Sequence, residues 1–85
     1  MPLKYVMLKL GGGELLPLLF PEFMQHSAMA QSVPAIVVSA GRVYLEDGKI
    51  VARGASSSLE VCSRDEDSGI IQDYFDGLSV IQQEL

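Results

Sequence analysis

His26 is the sole histidine of the chain, and Glu22 stands four residues before it. On a helix that spacing puts both side chains on one face, where the carboxylate could orient the imidazole for proton transfer. No activated nucleophile completes the set, because Ser27 is adjacent to His26 and points elsewhere on a helix. A lone histidine beside a carboxylate is more often a surface pair or a cap, so no catalytic residue is assigned. Cys62, the single cysteine, lies in an expected strand with no histidine or basic helix terminus placed beside it. Its thiol reads as a small buried hydrophobe. One His, one Cys and scattered carboxylates lack the spacing of a metal site, so neither metal nor cofactor is expected. Gly11-Gly12-Gly13 is followed by no Lys-Ser/Thr and completes no GxGxxG fingerprint, which makes it a turn. Ser56-Ser57-Ser58 is a polar connector, since a nucleophile elbow needs flanking glycines. The chain reads as non-enzymatic.

The elements around these residues set how the remaining candidates meet. Leu3 to Leu10, the triple glycine and Glu14 to Phe20 read as a β-hairpin, with Pro17 confining the second strand to an edge or bending it. A rival reading makes Glu14 to Gln31 helical, with Pro17 and Pro21 near helix starts. Phe23 to Gln31 suits a helix that Val33-Pro34 stops. Ala35 to Leu45 is a strand rich in Ile and Val, and Asp47-Gly48 is a strong hairpin signal that returns the chain along Lys49 to Arg53. Ser58 to Ser63 alternates as a third strand. Ser63-Arg64-Asp65-Glu66 has the form of a capping box, and Asp65, Glu66 and Asp67 suit the positive end of a helix dipole. Ile70, Ile71, Tyr74, Phe75 and Leu78 then form an apolar helical stripe, which Gly77 ends or weakens before Ile81 and Leu85. The order is ββαβββα: an α+β fold with an antiparallel sheet of about five strands and helices packed on one face, in a single small domain over residues 1–85.

A two-residue turn at Asp47-Gly48 fixes the pairing of the flanking strands. It sets Glu46 opposite Lys49, Tyr44 opposite Val51 and Arg42 opposite Arg53. Val43, Leu45, Ile50 and Ala52 share a core face; Arg42, Tyr44, Glu46, Lys49, Val51 and Arg53 share the other. Extending to the third strand places Cys62 beside Val51 and Glu60 beside Arg53. Two arginines directly opposite repel unless something anionic compensates. Three readings of that face follow. Glu60 and solvent neutralise the charges, or a second subunit covers the row Tyr44, Val51, Cys62 with the charges as its rim. Alternatively Arg42 and Arg53, with His26 near, hold a carboxylate or phosphate ligand, which guanidinium geometry suits.

Composition narrows the classes. Of 85 residues 48% are hydrophobic, and the mean hydropathy is +0.26, which is incompatible with a disordered chain. The longest apolar runs fall well short of the ~20 residues of a bilayer span, so no membrane partner is expected. One cysteine and no signal-peptide pattern point to the cytoplasm. The net charge is −5, but residues 1–64 carry +1 and residues 65–85 carry −6. Six scattered basic residues make a poor phosphate-binding face, so no nucleic acid is expected. The acidic end reads as a solvated helix face, or as an inhibitor or decoy of a basic partner.

Val38-Ser39-Ala40-Gly41, Gly54-Ala55-Ser56-Ser57-Ser58-Leu59 and Ser63-Arg64-Asp65-Glu66-Asp67 resemble segments of small uncharacterised bacterial and prophage proteins. The resemblance implies a bacterial or phage setting and carries no activity. The expected function is a self-associating or partner-binding domain, most often a homo-oligomer. Chains of this size bury only roughly 60% of their unfolded surface, which leaves many aliphatic groups for a partner to cover.

Overall fold

The computed structural model describes residues 3–31 and 35–84, with side chains to residue 77. Four strands form one antiparallel sheet: β1 (Leu3–Lys9), β2 (Leu15–Phe20), β3 (Ile36–Glu46) and β4 (Lys49–Arg53), in the order β2-β1-β3-β4. A short ribbon of β5 (Ala55–Ser56) and β6 (Val61–Cys62) forms a second sheet. The helices are α1 (His26–Ala30) and α2 (Asp67–Glu84). The α+β class is as the sequence predicts, and residues 15–20 are strand, with Pro17 on an edge strand. Asp47 and Gly48 both have positive φ, at 52° and 77°. That is the type I′ geometry whose twist matches a right-handed hairpin. The resulting register sets Arg42 opposite Arg53 and Tyr44 opposite Val51.

Strand β1 explains the core. Tyr5, Val6, Met7 and Leu8 are all fully buried, and successive strand residues face opposite ways, so both faces of the sheet are covered. On the first face Tyr5, Met7, Val43 and Ala52 pack with Ile71 of α2, flanked by Ile70, Ile50 and Leu19. On the second, Val6, Leu8, Phe20 and Ala40 pack with Met24, Met29, Leu59 and Val61. The main helix therefore lies on one face, while α1 and the 57–61 turn sit against the other. A bulge in β3, where the register shifts between Met7 and Leu8, turns Val38 toward the first face.

Four expectations are corrected. The strand expected at 58–63 does not join β4. Gly54 turns the chain with φ 94° and Glu60 with φ 57°, so β6 pairs with β5, setting Cys62 opposite Ala55. Cys62 is exposed instead of buried, and Glu60 does not lie across from Arg53. The expected capping box also forms differently. The first helical bond runs from Ile70 N–H to Glu66 C=O, and Asp67, not Ser63, reaches back to accept from the Arg64 backbone N–H at 3.1 Å. Helix α1 begins only at His26, because Pro21 to Met24 forms a turn closed by Met24 N–H to Pro21 C=O at 3.1 Å. The helix stop at Val33-Pro34 lies outside the described residues, as do the side chains of Leu78, Ile81 and Leu85. Gly77 does not end α2.

A buried polar cluster ties α2 to β1. The Tyr5 hydroxyl donates to Asp67 Oδ2 at 2.5 Å and lies 2.8 Å from Ser63 Oγ. Arg64 adds two guanidinium bonds to Asp67 Oδ1, at 3.0 and 3.2 Å. Burial by itself would push the Asp67 carboxyl up, but the donors around it outweigh burial and hold it below the usual range. Ser39 Oγ is buried beside this carboxylate and helps lower it, although it makes no hydrogen bond of ordinary geometry among the described residues. Burial, and then the neighbouring carboxylate, push the Tyr5 phenol far above its ordinary value. Tyr5 and Asp67 are wholly buried in this cluster, while Ser63 and Arg64 close it toward the surface and remain partly exposed.

Candidate interaction surface

The second face of the sheet divides in two. Over Val6, Leu8, Phe20 and Ala40 it is covered. Beyond them, toward the 47–48 turn, Tyr44 and Val51 lie opposite each other and half-buried, outside that packed cluster. Phe23, at the third position of the 21–24 turn, is 86% exposed.

The charges of this surface are paired within the chain. Arg42 Nη1 is bonded to Glu22 Oε1, and Arg53 Nη1 lies 3.1 Å from Glu46 Oε1. The Arg53 guanidinium also stacks over the Tyr44 ring, 4.4 Å from its centroid. The compensation that two opposed arginines demand is thus supplied by two carboxylates, one on each side. Each carboxylate engages only the Nη1 of its arginine.

Glu22 therefore engages Arg42 and leaves His26 to a different role. His26 is buried, its Nε2 donates to Gly41 C=O at 2.9 Å, and its ring meets Phe20 edge-on at 5.3 Å. The carbonyl can only accept, so Nε2 carries the proton. Burial first, and the charges of Lys4 and Arg42 next, hold its pKa below the ordinary value despite the Gly41 bond. A neutral imidazole here pins the 21–26 segment to β3. Lys4 Nζ pins the same segment by donating to Met24 C=O at 3.0 Å. Phe23 is consequently displayed on a turn fixed from three sides.

The sequence-predicted residues therefore fall into three places. Arg42, Arg53, Tyr44 and Val51 come together on one surface, His26 lies beneath its margin, and Cys62 belongs to the separate ribbon. The apolar neighbours of Phe23 predict a helix, whereas Pro21 signals the turn that forms there. Of the six acids in residues 65–85, Asp67 is buried and Glu66 pairs with Arg64 at 3.2 Å, so the acidic end is partly neutralised. Among the described residues no group of three His, Cys, Asp or Glu is placed to hold a metal. No described helix is long and apolar enough to cross a membrane. No family model matches the chain, and no curated protein or solved structure matches it either.

Proposed function

We propose that the chain is a non-enzymatic, self-associating domain whose contact surface is the exposed end of the second sheet face. One observation carries this reading: that face is covered over Val6, Leu8 and Ala40, while Tyr44 and Val51 beyond them are only half-buried and Phe23 protrudes from the turn that Glu22 ties to Arg42 of the same face. Aromatic and arginine side chains are the types that anchor protein contacts, and they need a rigid platform to do so. Tyr44, Arg53 and Phe23 stand on a hairpin and on a tethered turn. The paired charges favour a second copy over a strongly acidic or basic partner. A two-fold contact can exchange Arg42–Glu22 and Arg53–Glu46 partners between copies without leaving a net charge buried.

Sedimentation equilibrium at micromolar concentration tests the proposal. The wild-type protein is expected to sediment as a dimer, and Phe23→Ser with Tyr44→Glu as a folded monomer. A wild-type protein that is monomeric throughout that range overturns it. So does a dimer indifferent to both substitutions.

A further inference from the structure

The apolar stripe of α2 outruns its cover. Ile70 and Ile71 pack into the core of the first sheet face. Tyr74 and Phe75 stand three and four residues beyond Ile71, so they bracket its direction on the helix. A stripe seated along its whole length would bury them as it buries Ile71, which has no exposed surface; instead Tyr74 is 40% and Phe75 37% exposed. The reach of the sheet explains the difference. Side chains of α2 follow β4 toward its turn: Ser68 Oγ accepts from the Ala52 N–H at 2.8 Å, and Gln72 Oε1 from the Ile50 N–H at 3.2 Å. One helical turn further on, Asp76 shares a groove with Gly48, where the β3–β4 hairpin turns back. The helix nevertheless continues to Glu84, and at ~1.5 Å per residue that carries it about 12 Å past Asp76. The Tyr74 and Phe75 rings meet edge-on at the start of this overhang, with centroids 6.3 Å apart.

We propose that the Tyr74–Phe75 face of α2 docks a basic amphipathic helix. Charge selects this occupant. On a helix of ~3.6 residues per turn, Asp73 lies about 100° around the axis from Tyr74, and Asp76 about 100° from Phe75 on the other side. A carboxylate therefore borders each edge of the aromatic pair. Both acids are exposed, and among the described residues no Lys or Arg pairs with either. Asp76 accepts from Gln72 Nε2 at 3.1 Å, a neutral partner that leaves its charge in place. Residues 65–85 contain no base, so a second α2 laid on this face would set acids against acids. A cationic helix meets the opposite situation. Its Lys or Arg stems can lie along the rings with their charged ends at Asp73 and Asp76, and the ring faces attract the same cations. Its own apolar stripe then covers Tyr74 and Phe75, with anchors at helical spacing. An extended partner finds no open edge beside them, because the Ile50 and Ala52 amides are already bonded to α2. The site belongs to the first sheet face and is independent of the Tyr44–Phe23 surface on the second.

The test titrates the full-length protein with a capped helical peptide, Lys-Leu-Leu-Lys repeated three times, and with Glu-Leu-Leu-Glu repeated three times as control, followed by amide and aromatic NMR shifts. Expected are shifts centred on residues 73–76 and on the Tyr74 and Phe75 rings. The Lys peptide should bind about tenfold more tightly than the Glu peptide at low salt, the scale of two exposed ion pairs, and that preference should shrink as salt is added. Asp73→Lys, a change at an exposed and unpaired side chain, is expected to narrow the preference. Tyr74→Ser with Phe75→Ser should weaken the Lys peptide about tenfold or more while the Tyr5 and His26 signals stay in place; if that double variant does not fold, Asp73→Lys decides. Equal binding of the two peptides, no shift at millimolar peptide, shifts that spare residues 73–76, or wild-type binding in a folded variant each overturn the proposal. The same rings shifting with protein concentration alone would assign the face to a second copy and overturn it too.

Discussion

Tyr5 and Asp67, 62 residues apart, share a 2.5 Å hydrogen bond with both side chains wholly removed from solvent. The bond joins the first strand to the first residue of the last helix, so the closure of the first sheet face depends on it. Tyr5→Phe removes the donor and leaves Asp67 with Arg64. Its expected cost is about 1–3 kcal/mol, the penalty of one buried group losing a partner. Asp67→Ala strands the Tyr5 hydroxyl and the Arg64 guanidinium together and should cost more, about 3–5 kcal/mol. Urea unfolding of the two variants checks the ranking; an Asp67→Ala protein as stable as wild type contradicts it.

Two groups give the chain an acid limit. His26 is held below its ordinary pKa in the fold, so the unfolded chain binds its proton first as pH falls. That stability is present above the unfolded value of about 6.5 and is lost as pH drops through the folded one. Asp67, also lowered, adds a second loss below the ordinary carboxylate range. Thermal melts are expected to fall steadily from pH 7 to pH 4. His26→Gln keeps a donor for Gly41 C=O and should flatten the upper part of that fall. A variant with the wild-type slope between pH 7 and 5 removes His26 as the cause.

Tyr5 sets the opposite limit. Its phenol is raised in the fold, so its contribution is complete below the unfolded value of about 10 and is lost as pH rises beyond it. Tyr5→Phe should be less sensitive than wild type to pH above 10, measured by denaturation under alkaline conditions.

Gly41 marks a close approach between strands. A Cβ there would sit 2.7 Å from the Arg53 carbonyl oxygen and 3.3 Å from Ser63 Cβ, so β4 and the 63–64 segment would both have to move. Gly41→Ala is expected to destabilise by about 1–3 kcal/mol, as overpacking does. Because Gly41 also receives the His26 bond, the histidine ring resonances should shift in that variant; an unchanged His26 signal would argue that the backbone has not moved.

What could be read from the chain follows from how local each cause is. Asp47-Gly48 determines its hairpin through its own φ angles, and the placement of Arg42 against Arg53 came with it. Pro17 announced an edge strand because it has no N–H to give. The alternation of Leu59 and Val61 predicts a strand at 58–63 but says nothing about its neighbour, and the positive φ of Glu60 has no sequence mark. Asp67 looked like one more helix-start acid. Its burial is decided by a tyrosine at the far end of the chain, which no window of residues contains. The run Tyr5 to Leu8 did carry a signal: four successive buried residues mean a strand covered on both faces.

That double cover has a consequence for how the molecule comes together. Strand β1 occupies the middle of the sheet, and its contacts on the first face include Val43, Ala52 and Ile71, which lie 34 or more residues further along the chain. The hairpin with β2 covers β1 along one edge only, so its full burial needs β3, β4 and α2 in place. Joining the two local hairpins through β1 and β3 closes a long loop, a step whose entropy cost slows assembly.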